Sequence, residues 1–167
     1  AYGMREKLTE SDISLTKQKR GDANRLGFAV QLCYMRYPGI VLSERQVPDR
    51  ELLKFVATQL DCHPSDWENY GLREVTKREH SLELQRLFGF SAFSRDNYQK
   101  YVDYIAHIAI DTDKGIVLAE NLVNYLRAHK ILLPTLLVID KLCAEAITNA
   151  NKVIYERLTF GLSQSHF

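Results

Sequence analysis

Between Ile139 and Leu158, apolar side chains return at helical spacing. Ile139, Leu142, Cys143, Ala146, Ile147, Ala150, Val153, Ile154 and Leu158 keep a sustained 3.6-residue period. That stripe fits one face of a long amphipathic helix, and no strand presents its side chains at such intervals. Leu133-Pro134-Thr135 marks where this helix starts. Two shorter stripes precede it. One predicts a helix from about Arg95 to Ile110, on Tyr98, Tyr101, Tyr104, Ile105 and Ile108. The other predicts a helix over about 114–128, on Ile116, Leu118, Leu122 and Leu126, with Asp111-Thr112-Asp113 as its cap.

The first half reads the same way. Thr9 or Ser11 caps a short helix running through Ile13 and Leu15 to about Gln18, and Lys19-Arg20-Gly21-Asp22 reads as a turn. A stronger helix follows from about Asn24, with Leu26, Ala29, Val30, Cys33, Tyr34 and Tyr37 on one apolar face, and Pro38-Gly39 ends it. Pro48-Asp49 opens the next helix, faced by Leu52, Leu53, Val56 and Leu60. Pro64 suits the first position of a short helix carrying Trp67 and Tyr70. A longer helix is predicted over about 73–87, with Leu82, Leu84 and Leu87 on or near its apolar side, stopped by Gly89.

No stretch alternates with period two between hairpin turns, so the chain is expected to be all-α. Ser91 to Ser94 looks like a link. It suggests two small helical modules, residues 9–90 and 91–167, with helix-turn-helix-like units. The segment from Phe55 through Asp61 to Tyr70 has that outline, with Asp61 where such units often carry glycine; ordinary helical hairpins share the pattern.

Composition excludes several classes. With 46% hydrophobic and 26% charged residues the chain is neither disordered nor fibrous. The longest apolar run, Ile131 to Ile139, contains Pro134 and is far short of the roughly 20 residues of a membrane span. No secretory leader is evident. Cys33, Cys62 and Cys143 lack CxxC spacing, and two of them sit on apolar stripes. They read as small hydrophobes in a reducing, cytoplasmic setting rather than as a disulfide or zinc framework. The histidines make no HExxH pair, and there is no phosphate-binding glycine loop and no GxSxG elbow. Catalysis therefore has no foothold in the sequence, and no metal or cofactor is expected.

Net charge is only +1, but the charge is unevenly placed: residues 1–40 carry 7 Lys/Arg against 4 Asp/Glu, residues 41–90 carry 7 against 9, and residues 91–167 carry 8 against 8. Three clusters stand out. Lys17, Lys19, Arg20, Asn24 and Arg25 surround a turn and a helix start, where cations and open N–H groups suit a phosphate; a solvated turn is the other reading. Arg73, Lys77, Arg78, His80 and Arg86 form the second. Thr76-Lys77-Arg78-Glu79 has capping-box spacing, which would put three cations in a first turn against the helix dipole. If 73–87 is instead one unbroken helix, these charges simply face water. Arg127, His129 and Lys130 form the third, at a helix C-terminus that the dipole alone can explain.

Several strings, taken together, are specific. "NRLGFAVQLCYMRYPG" (Asn24 to Gly39), "LLKFVATQLDCHPSDWENY" (Leu52 to Tyr70), "TKREHSLELQRLFG" (Thr76 to Gly89), "TDKGIVLAENLVNYLRAHKILLP" (Thr112 to Pro134) and "IDKLCAEAITNANKVIYERLT" (Ile139 to Thr159) occur in this order. The chain thereby resembles the N-terminal region of Tn-three-type transposases, the class II replicative transposition enzymes of bacteria, over roughly residues 9–163. The resemblance implies a DNA-binding region that recognises the terminal inverted repeats of a transposon. It also implies that the Mg-dependent catalytic domain lies further along a much longer polypeptide, of which this chain would be an N-terminal fragment. Lys17, Gln18, Lys19 and Arg20 keep most of a basic run common in that family, whereas Ala128 and His129 interrupt another.

On this basis Lys17, Lys19, Arg20, Asn24, Arg25, Arg73, Lys77, Arg78, His80, Arg127 and Lys130 are the candidate contacts to double-stranded DNA, and Arg36 and Tyr37 are expected to pack as much as bind. Other transposase subunits are possible further partners; a membrane is not expected. The rival reading is a helical protein-interaction domain for transposase assembly.

Overall fold

Every regular element among the described residues is helical, as the apolar periodicity predicts. The computed structural model describes residues 8–43, 45–72 and 74–164. The chain divides into two compact units, Ala1–Ser91 and Ala92–Phe167.

The first unit is built around one helix. α1 spans Glu10–Lys17, α2 Asp22–Arg36, α3 Arg50–Gln59 and α4 Glu74–Phe88, with a short 3-10 helix at Pro64–Asn69 between the last two. α1, α3, α4 and the 3-10 helix all pack on α2. α2 is accordingly buried over Leu26 to Cys33 and again at Met35. The sequence suggested one apolar face here; four neighbours instead leave almost no polar side. Phe28, Leu32 and Met35 therefore join the core, each contributing roughly 1.5–3 kcal/mol by leaving water. Gly27 has a specific reason to lack a side chain, because a Cβ there would fall inside the Tyr70 ring.

Local signals set most of the ends. At α1, the Thr9 hydroxyl accepts the Asp12 N–H at 3.2 Å and the Asp12 carboxylate accepts the Thr9 N–H at 2.8 Å, a reciprocal capping box. Gly21, at φ 81°, turns the chain into α2 two residues before the expected start at Asn24. Asp49 caps α3 by accepting the N–H groups of Glu51 and Leu52 at 3.1 and 3.0 Å. Gly89, at φ 72°, ends α4 as expected, and the Phe90 N–H closes back on the Gln85 carbonyl at 2.9 Å.

One charged contact ties this unit together. The Arg36 guanidinium donates to both carboxylate oxygens of buried Asp12 at 2.6 and 2.8 Å and lies 5.0 Å from the Phe88 ring centre. Burial pushes the Asp12 carboxyl up, but the Arg36 hydrogen bonds, the Thr9 contacts and the guanidinium charge together hold it below its ordinary value. Of the pair expected to pack as much as bind, Arg36 makes these packing contacts, while Tyr37 is exposed.

The second unit joins α5 (Tyr98–Ala109), α6 (Gly115–Ala128) and the 29-residue α7 (Leu136–Gln164). Tyr101, Val102 and Ile105 of α5, Leu118, Leu122 and Leu126 of α6, and Leu142, Ala146 and Ala150 of α7 form its core. The predicted stripe on α7 is buried only to Ala150; Val153 and Leu158 continue its period but are exposed. Asp111 and Asp113 do not cap α6. Lys114 occupies the cap position with no side-chain cap bond, and the Thr112 hydroxyl accepts the Lys114 N–H at 3.3 Å instead. Among the described residues, no helix is long and apolar enough to cross a membrane.

Candidate nucleic-acid interface

The turn between α1 and α2 is held by its own polar side chains. Arg25 Nε donates to the Lys19 carbonyl at 2.9 Å, and Asn24 Nδ2 donates to the Arg20 carbonyl at 2.9 Å. The Lys19 ammonium pairs with Glu83 of α4 and lies 4.8 Å from the Phe28 ring centre. Lys19, Asn24 and Arg25 thus build the turn, while Lys17 and Arg20 project from it as exposed cations. No side chain caps the start of α2.

α4 settles the question left open by Thr76. The helix begins at Glu74 and runs unbroken to Phe88, so Thr76 lies inside its first turn and the capping box at 76–79 is not formed. Lys77 is half-buried, with its ammonium 5.4 Å from the Trp67 ring centre and 5.7 Å from that of Tyr70. Arg78 and Arg86 are exposed. Arg73 lies outside the described residues.

His80 is a correction. Its side chain is buried, stacked on Tyr70 at 5.7 Å and edge-on to Phe28 at 5.2 Å. Nδ1 is 2.9 Å from the Tyr70 hydroxyl. Burial, helped by nearby Lys19 and opposed by Glu83, lowers the imidazole to about 4, so the ring is neutral at pH 7. A phosphate neither reaches this ring nor finds a charge on it. The same burial raises the Tyr70 phenol, against the pull of its hydrogen bond from Gln31.

The helix-turn-helix outline at 55–70 is realised differently. α3 ends at Gln59, and Asp61 takes the left-handed conformation, at φ 55°, that the glycine of such a turn would adopt. The element that follows is a six-residue 3-10 helix, too short to lie along a groove. α4 is the longer exposed helix in this unit.

Around α4 the charges separate by phase. At 100° per residue, Glu83 and Arg78 lie about 140° apart, so they occupy opposite flanks. The Glu83 flank meets the Lys17–Arg25 turn through Lys19. The Arg78 flank borders an open cleft of about 650 Å3 that Val41, Leu42, Ser43 and Arg45 also line. Between the flanks runs an exposed ridge of Val75, Glu79, Leu82 and Arg86. The expectation that Leu82 and Leu87 lie near the apolar side fails; only Leu84 of the three is buried. Sequence reading missed Glu83 and Arg45, and it missed Gln31, whose signal was a polar residue inside an apolar helix.

The third cluster closes α6. His129 is the C-cap, and its ring stacks on Tyr125 at 4.2 Å. Lys130 takes a left-handed conformation at φ 54°, and the next N–H returns to the Leu126 carbonyl at 2.9 Å. Arg127 is half-buried in the last turn, and Lys130 is exposed. Both are placed where their charge complements the helix dipole.

The fold and these surfaces define an all-α chain of two units, with cationic side chains set on turns and helix ends. The chain belongs to the family described as a domain of unknown function, DUF4158, whose model matches residues 7–146. It is 46% identical over 159 residues to the transposase for transposon Tn21 of Escherichia coli, and 49% identical over 159 residues to that for transposon Tn3926 of the same species. It is 44% identical over 160 residues to the transposase for transposon Tn501 of Pseudomonas aeruginosa. Each match covers 95% of this chain and 16% of the relative, so the chain spans about one sixth of the length of these transposases. The resemblance read from the five quoted strings is borne out.

Proposed function

We propose that this chain is a DNA-binding region of a transposase, recognising the terminal inverted repeats of a transposon, and that it grips DNA without itself performing chemistry. The observation that carries this reading is the match to bacterial transposases across 95% of the chain. The surfaces support it. In the first unit, α4 offers an exposed ridge in which Glu79 and Arg86 can read base edges and Leu82 can meet a thymine methyl in a major groove. Lys17 and Arg20 on one flank, and Arg45 and Arg78 on the other, suit the two strands that border that groove. In the second unit the end of α6, with Arg127 and Lys130, is the corresponding cationic surface. Two linked modules, 9–90 and 91–167, would together hold a longer site than either could alone.

A titration by fluorescence anisotropy tests this, comparing a terminal inverted-repeat duplex with a scrambled duplex. Preference for the repeat is expected. The double variant Lys17→Ala/Arg20→Ala should weaken binding to both duplexes and flatten the salt dependence by about 0.9 in log–log slope for each phosphate it no longer neutralises. No preference for the repeat in the unaltered chain, with binding to a partner chain instead, would overturn the reading and favour the protein-interaction role.

A further inference from the structure

The apolar stripe of α7 outlasts the helices that cover it. α5 and α6 have 12 and 14 residues against 29 in α7. At 1.5 Å per residue that is about 18 and 21 Å of neighbour for about 43 Å of helix. Ile139, Leu142, Cys143, Ala146 and Ala150 are buried in the core, and beyond Ala150 the packing stops. The stripe does not. With Ala150 at zero and 100° per residue, those buried positions fall between about −80° and +20°. Val153, Ile154, Leu158 and Gly161 fall between about −60° and +80°, on the same side, while Lys152, Glu156 and Thr159 lie opposite. Val153 and Leu158 are 37% and 63% exposed, Ile154 is half-buried, and a Cβ at Gly161 would meet open space. A continuous apolar face of this kind marks a surface that another element covers.

Size and charge narrow what that element is. A second copy is a poor occupant, because a stable interface takes about 20–30 residues from each side. Residues 151–164 fall short of that even if every one took part. Duplex DNA presents phosphates, to which an aliphatic face has nothing to offer. A segment tethered to the same polypeptide needs less area, since the tether supplies an effective concentration in about the millimolar range. The transposases this chain resembles have such polypeptide to spare, as each match covers only 16% of their length. The same matches cover 95% of this chain, which leaves too few residues outside them to omit the exposed half of α7. Arg157 sets the chemistry of the covering segment. It falls at about −20°, in the middle of the stripe, and forms no ion pair among the described residues. Covering it would strand a charge unless the cover brings a carboxylate. We propose that residues 151–164 dock an amphipathic helix from the polypeptide that follows Phe167 in the full-length transposase. Its apolar side would lie on Val153, Ile154 and Leu158, and a carboxylate would pair with Arg157. The inference rests on this chain being a region of a transposase, and not on its binding DNA.

Hydrogen exchange read by mass spectrometry tests this, comparing the amides of residues 151–164 in this chain alone and in the full-length polypeptide. Exchange should be at least tenfold slower in the full-length protein. The double variant Ile154→Gln/Leu158→Gln should return it to the rate of the chain alone. Glutamine keeps the helix, so the same variant should leave the melting temperature of the chain alone unchanged. Arg157→Glu should also abolish the protection, and Arg157→Lys should preserve most of it. Equal exchange in the two proteins would overturn the docking face. Protection that survives the double variant or Arg157→Glu would overturn it too, since the cover would then lie elsewhere on the helix. Sedimentation of the chain alone should show a monomer. A dimer that the double variant dissociates would assign the face to a second copy and overturn the proposal. No DNA enters these measurements, so failure to prefer the inverted repeat leaves their outcome standing, and equal exchange leaves the DNA reading untouched.

Discussion

Gly27→Ala offers the sharpest check on how the first unit is packed. A methyl group at position 27 would land inside the Tyr70 ring. That ring has little freedom to retreat, being stacked on His80, hydrogen-bonded through its hydroxyl to Gln31 and packed at 5.3 Å against Trp67. Overpacking of a full core costs about 1–3 kcal/mol. Breaking a buried hydrogen bond as the ring moves adds about 1–3 kcal/mol. Replacing a helical glycine by alanine returns only about 0.5–1 kcal/mol. A net loss of about 2–4 kcal/mol is expected, which in a unit of this size lowers the melting temperature by roughly 10 °C or more. Trp67 is the single tryptophan in the chain, so its fluorescence during urea or thermal unfolding reports this unit selectively. In a Tyr70→Ala background the added methyl meets open space and should cost less than about 0.5 kcal/mol. A neutral or stabilising Gly27→Ala, or an equal penalty in both backgrounds, would refute the close approach of Tyr70 to α2.

Arg36→Ala should destabilise the first unit by about 3–5 kcal/mol, because it strands the buried Asp12 carboxylate; the urea midpoint of Trp67 fluorescence measures it. Because the folded Asp12 carboxyl titrates below its ordinary value of 3.8, its stabilisation is present above that pH and is lost as pH falls further. Asp12→Asn should flatten the acid limb of a plot of melting temperature against pH. His80 acts in a higher window. Its folded value of about 4 lies below the ordinary 6.5, so the unfolded chain takes up a proton first as pH falls. Stability of this unit should decline by about 3 kcal/mol between pH 6.5 and 4, and the NMR shifts of the His80 ring should stay those of a neutral imidazole until near pH 4. Asp49→Ala removes both cap bonds at the start of α3 and should cost about 1 kcal/mol, again read by urea unfolding.

Most of the stripes on α5, α6 and the first half of α7 were legible because each of those helices buries one face in a three-helix core, the condition under which apolar periodicity maps burial. The sequence also places Tyr104 of α5 and Ile116 at the start of α6 on those stripes, and both are exposed. α2 lost that legibility because it has neighbours on nearly every side, which hid Phe28, Leu32 and Met35 among residues with no polar face to contrast with. Thr76 and Glu79 have capping-box chemistry, but α4 has already begun at Glu74, and a local motif cannot report on a turn laid down before it. Positive charge was visible in the sequence; its partners were not. Lys19 finds Glu83 64 residues later, a pairing that no short-range spacing encodes. His80 did carry a usable signal. It stands four residues before Leu84, on the one apolar face of α4, and that phase outweighs its basic neighbours.

The phase of α4 also bears on how such a chain could diversify. Its inward face is committed to His80, Ser81 and Leu84, and one flank is pinned through Glu83 to the turn, but Val75, Glu79, Leu82 and Arg86 on the outer ridge support no part of the core. Exchanges at such surface positions usually change stability by no more than about 0.5 kcal/mol. The ridge can therefore drift through many side-chain combinations while the scaffold beneath it stays constant. If that ridge reads DNA as proposed, selection for a new target sequence could act on four positions of one helix without first having to re-stabilise the fold.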